Sequence, residues 1–279
     1  METFSRDDLT FDVVDSGPAD GPAEPIVLLH GFPQTSLAWS AVTERLVAAG
    51  RRCLAPDLRG YSPGARPREH TAYRVDVMRG DVLALLDAAG AERGHIVGHD
   101  WGGGLAWEVA TAHPERVSRL TVLSTPHPAA MGWAMRHSRQ GLKSWYMAAF
   151  QVPVLPEALL RPALRAVGMR GLGLAPEHER AYVATLTEPG ALTGAINWYR
   201  ALRTERPSGV ARARGPVTVP TTYVWGRRDA YLGRAAAEKT EEYVDAPYRF
   251  IELDADHWLP EKNPGDVADA ILEPLGETP

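Results

Sequence analysis

The chain has 279 residues, 44% of them hydrophobic, and 30 Lys and Arg against 35 Asp and Glu give a formal net charge of −5. That length and hydrophobic content suit an α/β enzyme with one insertion and argue against disorder, while the mild negative balance offers no basic footprint for nucleic acid. A single cysteine, Cys53, excludes an internal disulfide framework. METFSRDDLTFDV has no basic stretch followed by an apolar run, so no signal peptide is expected, and no segment approaches the roughly 20 apolar residues that span a bilayer. The expectation is a soluble, cytoplasmic chain without membrane insertion.

In chain order, short aliphatic or β-branched runs at 9–14, 25–30, 52–56, 95–99, 120–124, 221–225 and 248–253 read as strands. Helical patterns lie between them at 36–49, 74–89, 101–112, 234–243 and 264–272. In the second of these, Val75, Met78, Val82, Leu85 and Leu86 recur at spacings of three and four and so share one face. Such alternation predicts the α/β class, a mostly parallel sheet covered by helices on both faces. The alternation stops after 124 and resumes at 221. Between them, helix-like pieces are broken by Pro153, Pro156, Pro162, Pro176 and Pro189, and RPSGVARARGP reads as a connector. We read 127–215 as a helical lid inserted into a core built from 1–126 and 216–279, with a short frayed tail after 272.

The strongest chemical signal is HIVGHDWGGG at 95–104, where a buried strand runs through Gly98-His99-Asp100-Trp101-Gly102 into a helix. This is the pattern of a nucleophile elbow, in which the glycines leave room for a strained turn and one side chain stands above the sheet. Asp100 occupies the nucleophile position, where the helix N-terminus favours its charged form. The bland alternative is that Asp100 only caps the helix. A second element, His30-Gly31-Phe32-Pro33, follows the strand at 25–30. In folds with this elbow, a backbone N–H from that loop and one from the residue after the nucleophile form an oxyanion hole, here Phe32 and Trp101. A third element is His257 in Asp254-Ala255-Asp256-His257-Trp258, which completes the order nucleophile, acid, histidine. For the acid, Asp229 in WGRRDAY stands where that order requires it, with Asp254 and Asp256 as competitors. No carboxylate follows the strand at 120–124, which leads into Ser124-Thr125-Pro126-His127.

These motifs together resemble an epoxide hydrolase of the α/β-hydrolase superfamily: HGFPQT (30–35), DLRGYSPG (57–64), GHDWGG (98–103), NWYRAL (197–202) and DADHW (254–258) span nearly the whole chain. The resemblance implies an eight-stranded sheet and two lid tyrosines that hold the epoxide oxygen. Tyr199 matches one through Asn197-Trp198-Tyr199-Arg200, and Tyr146 the other by its place before Phe150-Gln151 and Pro153. It also implies an ester on Asp100, water activated by His257, an imidazole oriented by Asp229, and no cofactor or metal. Phe32, Trp101, Trp145, Phe150 and Trp198, with Trp133 and Leu155 nearby in the lid, suggest a pocket for a small apolar or aryl epoxide. Self-association into a homo-oligomer is left open.

Two rival readings are set beside this one. A haloalkane dehalogenase resembles the chain in its aspartate and the following tryptophan, but it commonly carries an asparagine where Phe32 stands; a fluoroacetate dehalogenase has an arginine where Trp101 stands. A non-catalytic ligand-binding relative would have no need of Asp100, Asp229 and His257 together. A serine esterase is excluded by the absence of a Gly-x-Ser-x-Gly elbow.

Overall fold

The structure, a computed structural model, describes residues 1–19, 24–204 and 215–273. Its centre is one sheet of eight strands: β1 (Thr3–Arg6), β2 (Leu9–Ser16), β3 (Ile26–Leu29), β4 (Cys53–Pro56), β5 (Gly94–His99), β6 (Val117–Leu123), β7 (Thr221–Gly226) and β8 (Tyr248–Leu253). They lie in the order β1-β2-β4-β3-β5-β6-β7-β8, with β1 antiparallel to β2, β2 antiparallel to β4 and the rest parallel. Burial follows position. β3, reading Ile-Val-Leu-Leu, and β5 lie mid-sheet with every residue buried, the continuous apolar pattern of parallel strands covered on both faces. β2, near the edge, alternates instead, turning Phe11 and Val13 inward.

All seven strands expected from the sequence are present, within a few residues at their ends. β1 was not anticipated. Thr-Phe-Ser-Arg is too short to show a period, and it is held by its hairpin register with β2 and by Phe4 stacking on Phe11 at 4.8 Å between ring centroids. The helices flanking the sheet include Ser40–Ala48 packed against Pro264–Leu272, and Val75–Ala88 packed against Trp101–Ala112. Two expected helices are shorter than their apolar pattern: 36–49 begins as the 3-10 turn Ser36–Trp39, and 234–243 ends as the 3-10 turn Thr240–Tyr243.

Between β6 and β7 the chain leaves the sheet, and among the described residues it forms six α-helices: Pro128–His137, Gln140–Lys143, Trp145–Ala149, Leu155–Val167, Pro176–Thr187 and Ala191–Ala201. This is the inserted cap. The last is its anchor, since nearly all its side chains are buried where it packs against the turn His70–Tyr73 of the core. Pro176 starts its helix, where a missing N–H costs nothing, but Pro162 lies inside one. The connector RPSGVARARGP falls mostly, and the tail after Leu272 almost wholly, outside the described residues.

Candidate active site

At the carboxyl end of β5 the chain turns sharply into helix Trp101–Ala112, and Asp100 at the turn has φ 51° and ψ −120°. A side chain at positive φ is strained, and such strain persists only where the surroundings impose it. They do so here: a Cβ at Gly98 would strike the backbone of Gly102, and one at Gly102 the carbonyl of Leu29 on β3, so strand, turn and helix pack closer than any other residue allows. Asp100 occupies the cap position but its side chain caps nothing. Its Oδ1 instead accepts the Phe32 backbone N–H at 2.8 Å, in the loop after β3, and the side chain is 18% exposed. A Cβ at Gly31 would collide with Asp100, so that loop and the carboxylate need glycine to meet.

His257 follows β8 and stands beside the elbow. Its Nδ1 is 2.7 Å from Asp229 Oδ2, and its Nε2 is 3.6 Å from Asp100 Oδ2. Asp229 lies in the loop after β7, wholly buried, and its other oxygen accepts the N–H groups of Tyr231 and Leu232 at 2.7 and 2.9 Å. Of the other candidate acids, Asp254 pairs with Arg227 and Arg228 at the surface, and Asp256 pairs with Lys262 and accepts the Trp258 N–H. Neither meets the His257 ring.

The backbone of His257 is held as firmly as its ring. Its carbonyl accepts the Leu259 N–H at 3.0 Å and the Ser124 hydroxyl at 3.2 Å, and it lies 2.8 Å from His99 Nε2. The other nitrogen of His99 is 2.9 Å from Gln34 Oε1, which also accepts the Gly31 N–H; Gln34 Nε2 donates to Glu261 Oε1. The turn before Asp100, the loop of His257 and the loop after β3 are therefore tied by one buried polar chain. Burial and the neighbouring His257 drive the His99 pKa down to about 3.

Charges oppose one another across Asp100, His257 and Asp229. Burial works against the charged form of His257, but the facing carboxylates of Asp229 and Asp100 outweigh it and raise the pKa to about 10. Burial likewise opposes ionisation of Asp100, yet the contacts and charges of His257 and His99 and the Phe32 N–H hold its carboxyl below the usual range. Asp229 is held low in the same way, against burial, by His257 and two backbone N–H groups.

Over Asp100 sits a cluster of rings from the cap. Tyr199, buried in helix Ala191–Ala201, meets Trp101 at 4.9 Å, Phe150 at 4.9 Å, Phe32 at 5.6 Å and Tyr146 at 5.9 Å, all edge to face. The Tyr199 carbonyl accepts from Gln151, next to Phe150 in the chain. Burial, and then the Asp100 charge, push the hydroxyls of Tyr199 and Tyr146 above their ordinary pKa. Trp198 packs on Trp101 at 5.7 Å and donates its indole N–H to the Arg59 carbonyl, which pins the cap helix to the core.

Trp145 corrects an expectation. It was to line the pocket, but it is 70% exposed, because neighbouring helical residues point about 100° apart and Tyr146 takes the inward direction. Leu155 is likewise 52% exposed, and Trp133 stacks on His137 under Lys239, away from the cluster. Tyr231, two residues past Asp229, was missed: its ring meets His257 at 5.0 Å and Tyr146 at 6.1 Å. Its nearness in sequence to the acid was the only available signal. Gln34 and His99 lay inside the motifs HGFPQT and GHDWGG without being assigned any contact. Among the described residues, no three His, Cys, Asp or Glu side chains gather in a way that could hold a metal ion.

Known proteins share this arrangement of sheet and cap. A family description of the α/β-hydrolase fold matches residues 24–264. An AB hydrolase superfamily protein of Bacillus subtilis, YfhM, is 37% identical over 96% of this chain and 94% of its own. Epoxide hydrolase A of Mycobacterium tuberculosis is 32% identical over 91% of each chain. A solved epoxide hydrolase from metagenomes of hot environments superposes with a TM-score of 0.79 at 30% identity, covering 94% of this chain and 93% of that one. The match runs through both sheet and cap and therefore includes the elbow and the loops after β3, β7 and β8: the chain belongs to the α/β-hydrolase fold family, among close relatives of the epoxide hydrolases.

Proposed function

We propose that the chain hydrolyses epoxides to vicinal diols through an ester formed on Asp100. The observation that carries this reading is one carboxylate flanked by two different chemistries: the His257–Asp229 pair on one side, and on the other Tyr146 and Tyr199, both under the influence of the Asp100 charge. It gains support from relatives named epoxide hydrolases that match over most of their length.

In the first step an Asp100 oxygen attacks an epoxide carbon, the ring C–O bond breaks, and the leaving alkoxide takes a proton from Tyr199 or Tyr146. A tyrosine held above its usual pKa stays protonated until that strongly basic oxygen reaches it. The Asp100 charge is one cause of the elevation, and esterification removes it, so the tyrosines become stronger acids as the oxygen departs. The same loss acts on His257. With Asp100 neutral, Asp229 alone supports the imidazolium; its pKa falls, and its proton can restore the tyrosine. Neutral His257 then removes a proton from water, whose oxygen attacks the ester carbonyl. The N–H groups of Phe32 and Trp101 receive the oxyanion charge, an effect worth about 2.7–4 kcal/mol per donor where measured. Asp229 keeps the imidazole in the right tautomer and stabilises its cation. Collapse breaks the acyl C–O bond, the diol oxygen takes up the proton, and the Asp100 carboxylate is restored. Substrate and water are the only reactants this scheme needs. We take the lid as 127–215 on a core of 1–126 and 216–279, with Phe32, Trp101, Phe150 and Trp198 around the apolar part of the substrate.

The test is diol formation from a panel of aryl and alkyl epoxides, wild type beside Asp100→Ala, with halide release from matched bromoalkanes measured in parallel. Diol from the wild type alone, without halide, is the expected result. Halide without diol would overturn the reading in favour of a dehalogenase in which Trp101 holds the departing ion.

A further inference from the structure

Helix Leu155–Val167 turns its apolar side away from the protein. Leu155, Ala158, Leu159, Ala163, Ala166 and Val167 are all exposed, at the spacings of three and four that define one helical face. A surface helix ordinarily points such a stripe at the core. Here the inward side is supplied by Pro156, Leu160 and Leu164, which leaves a second apolar side uncovered. Leu159 is 62% exposed and Val154, just ahead of the helix, 73%. Earlier in the same stretch Leu142 is 74% and Trp145 70% exposed. Apolar exposure gathered like this marks an interaction surface.

The charges near it in the chain indicate the partner. Residues 128–171 contain six Arg or Lys and one acid, Glu157, a net of +5 in a chain whose net is −5. Glu157 is already neutralised by Arg200. Arg136, Arg139, Lys143, Arg165 and Arg170 are exposed, and among the described residues none of the six cations is in a salt bridge. Arg165 follows Ala158 by seven residues, just under two turns, so it borders the apolar face within about 20°. An apolar face edged by arginine, with an exposed tryptophan ten residues before it in the chain, is the composition of a helix that lies in a lipid interface.

We propose that this face of the cap docks on an anionic lipid bilayer, with the apolar side of Leu155–Val167 at the acyl boundary and the arginines at headgroup level. The contact is peripheral, since no helix of the described residues is long and apolar enough to cross a membrane. A second copy is disfavoured as the occupant. A twofold pair would set this cationic surface against itself, and like charges brought together oppose association. A bilayer carrying acidic headgroups provides the apolar phase and the opposite sign at once. Docked this way, the chain meets apolar solutes where they concentrate, on the segment whose Tyr146 turns inward beside the outward Trp145. The inference does not depend on the proposed reaction.

The experiment is co-sedimentation of the full chain with vesicles of pure phosphatidylcholine or of equal parts phosphatidylcholine and phosphatidylglycerol, at low and high salt. The wild type is expected to pellet with the anionic vesicles only, and to be released by salt. Leu159→Asp and the double variant Arg139→Glu, Arg165→Glu should each lose at least tenfold in bound fraction while keeping their far-UV spectrum, because all three side chains are exposed. Three outcomes overturn the proposal: no pelleting with anionic vesicles, equal pelleting of wild type and variants, or a wild-type dimer in sedimentation that Leu159→Asp dissociates. The last would make a second copy the occupant.

Discussion

His257 is held from several directions by atoms with defined donor and acceptor roles: the Asp229 carboxylate on Nδ1, Asp100 facing Nε2, and the Leu259 N–H and Ser124 hydroxyl on its carbonyl. Tyr199 is held mainly by ring edges of Trp101, Phe150, Phe32 and Tyr146, with a hydrogen bond to its backbone carbonyl and one between its side chain and that of Trp101. The two regions place functional atoms by different means. Directional bonds admit few alternatives, so the sheet edge tolerates almost no change of residue type. Aromatic packing admits many solutions of similar volume, so the cap can be reshaped for other substrates while the chemistry beneath stays fixed.

The sharpest way to break this contrast is at the sheet edge. Asp100→Asn keeps the size of the side chain and removes the nucleophilic charge; turnover should fall by roughly 10⁴-fold or more, as when other enzymes lose a nucleophile. Diol formation at wild-type rates would mean that the carboxylate is not the attacking group, and fresh protein should be used because the amide can hydrolyse back. His257→Gln separates the two steps. Steady-state turnover should collapse while one equivalent of epoxide adds to the chain, seen as a mass increase that maps to the peptide bearing Asp100. Undiminished turnover would remove His257 from its role.

In the cap the effects should be graded. Tyr199→Phe keeps the packing and removes the hydroxyl, so ring opening should slow by about 10²–10⁴-fold, the usual contribution of a general acid, with little change in melting temperature. Tyr146→Phe should do the same to a smaller degree if the two hydroxyls share the oxygen. Transient kinetics reads both. If neither variant alters the alkylation phase, the proton comes from elsewhere, and Tyr231, packed between Tyr146 and His257, becomes the first residue to change.

The same contrast explains what could be read from the sequence. Asp100, Asp229 and His257 lie at the carboxyl ends of three strands, in a chain order that the backbone geometry enforces, and the glycines of GHDWGG mark the turn. Seven of eight strands were legible, the inner parallel ones as continuous apolar runs and β2 by its alternation; β1 was not, since a hairpin partner and the stack of Phe4 on Phe11 define it, and neither is local. In the cap, helices were legible and facing was not. Apolar content alone placed Trp145 and Leu155 in the pocket, and the structure turns both to solvent. The face that a helix buries depends on its neighbours, and there an apolar stripe does not point to the core. The chain from His99 through Gln34 to Glu261 was invisible for a third reason, that its members come from a strand end, a loop and a short helix brought together only by the fold.

The smallest expected effect concerns stability and tests whether His257 is charged at rest. The His257 pKa is about 10 in the folded chain, well above the value of about 6.5 for a free imidazole. A group whose pKa rises on folding binds its proton more tightly in the native state. Its stabilising contribution is therefore complete below about pH 6.5 and is lost as pH climbs through about 10. Asp100 and Asp229, held below their ordinary range, behave oppositely: their contribution is present above pH 3.8 and falls away in acid. The melting temperature of the wild type should thus decline between pH 7 and pH 10 more steeply than that of His257→Gln, which has no proton to lose there. Parallel curves for the two proteins would mean that His257 is neutral in the resting enzyme. The tyrosine would then have to recover its proton from solvent rather than from the imidazolium.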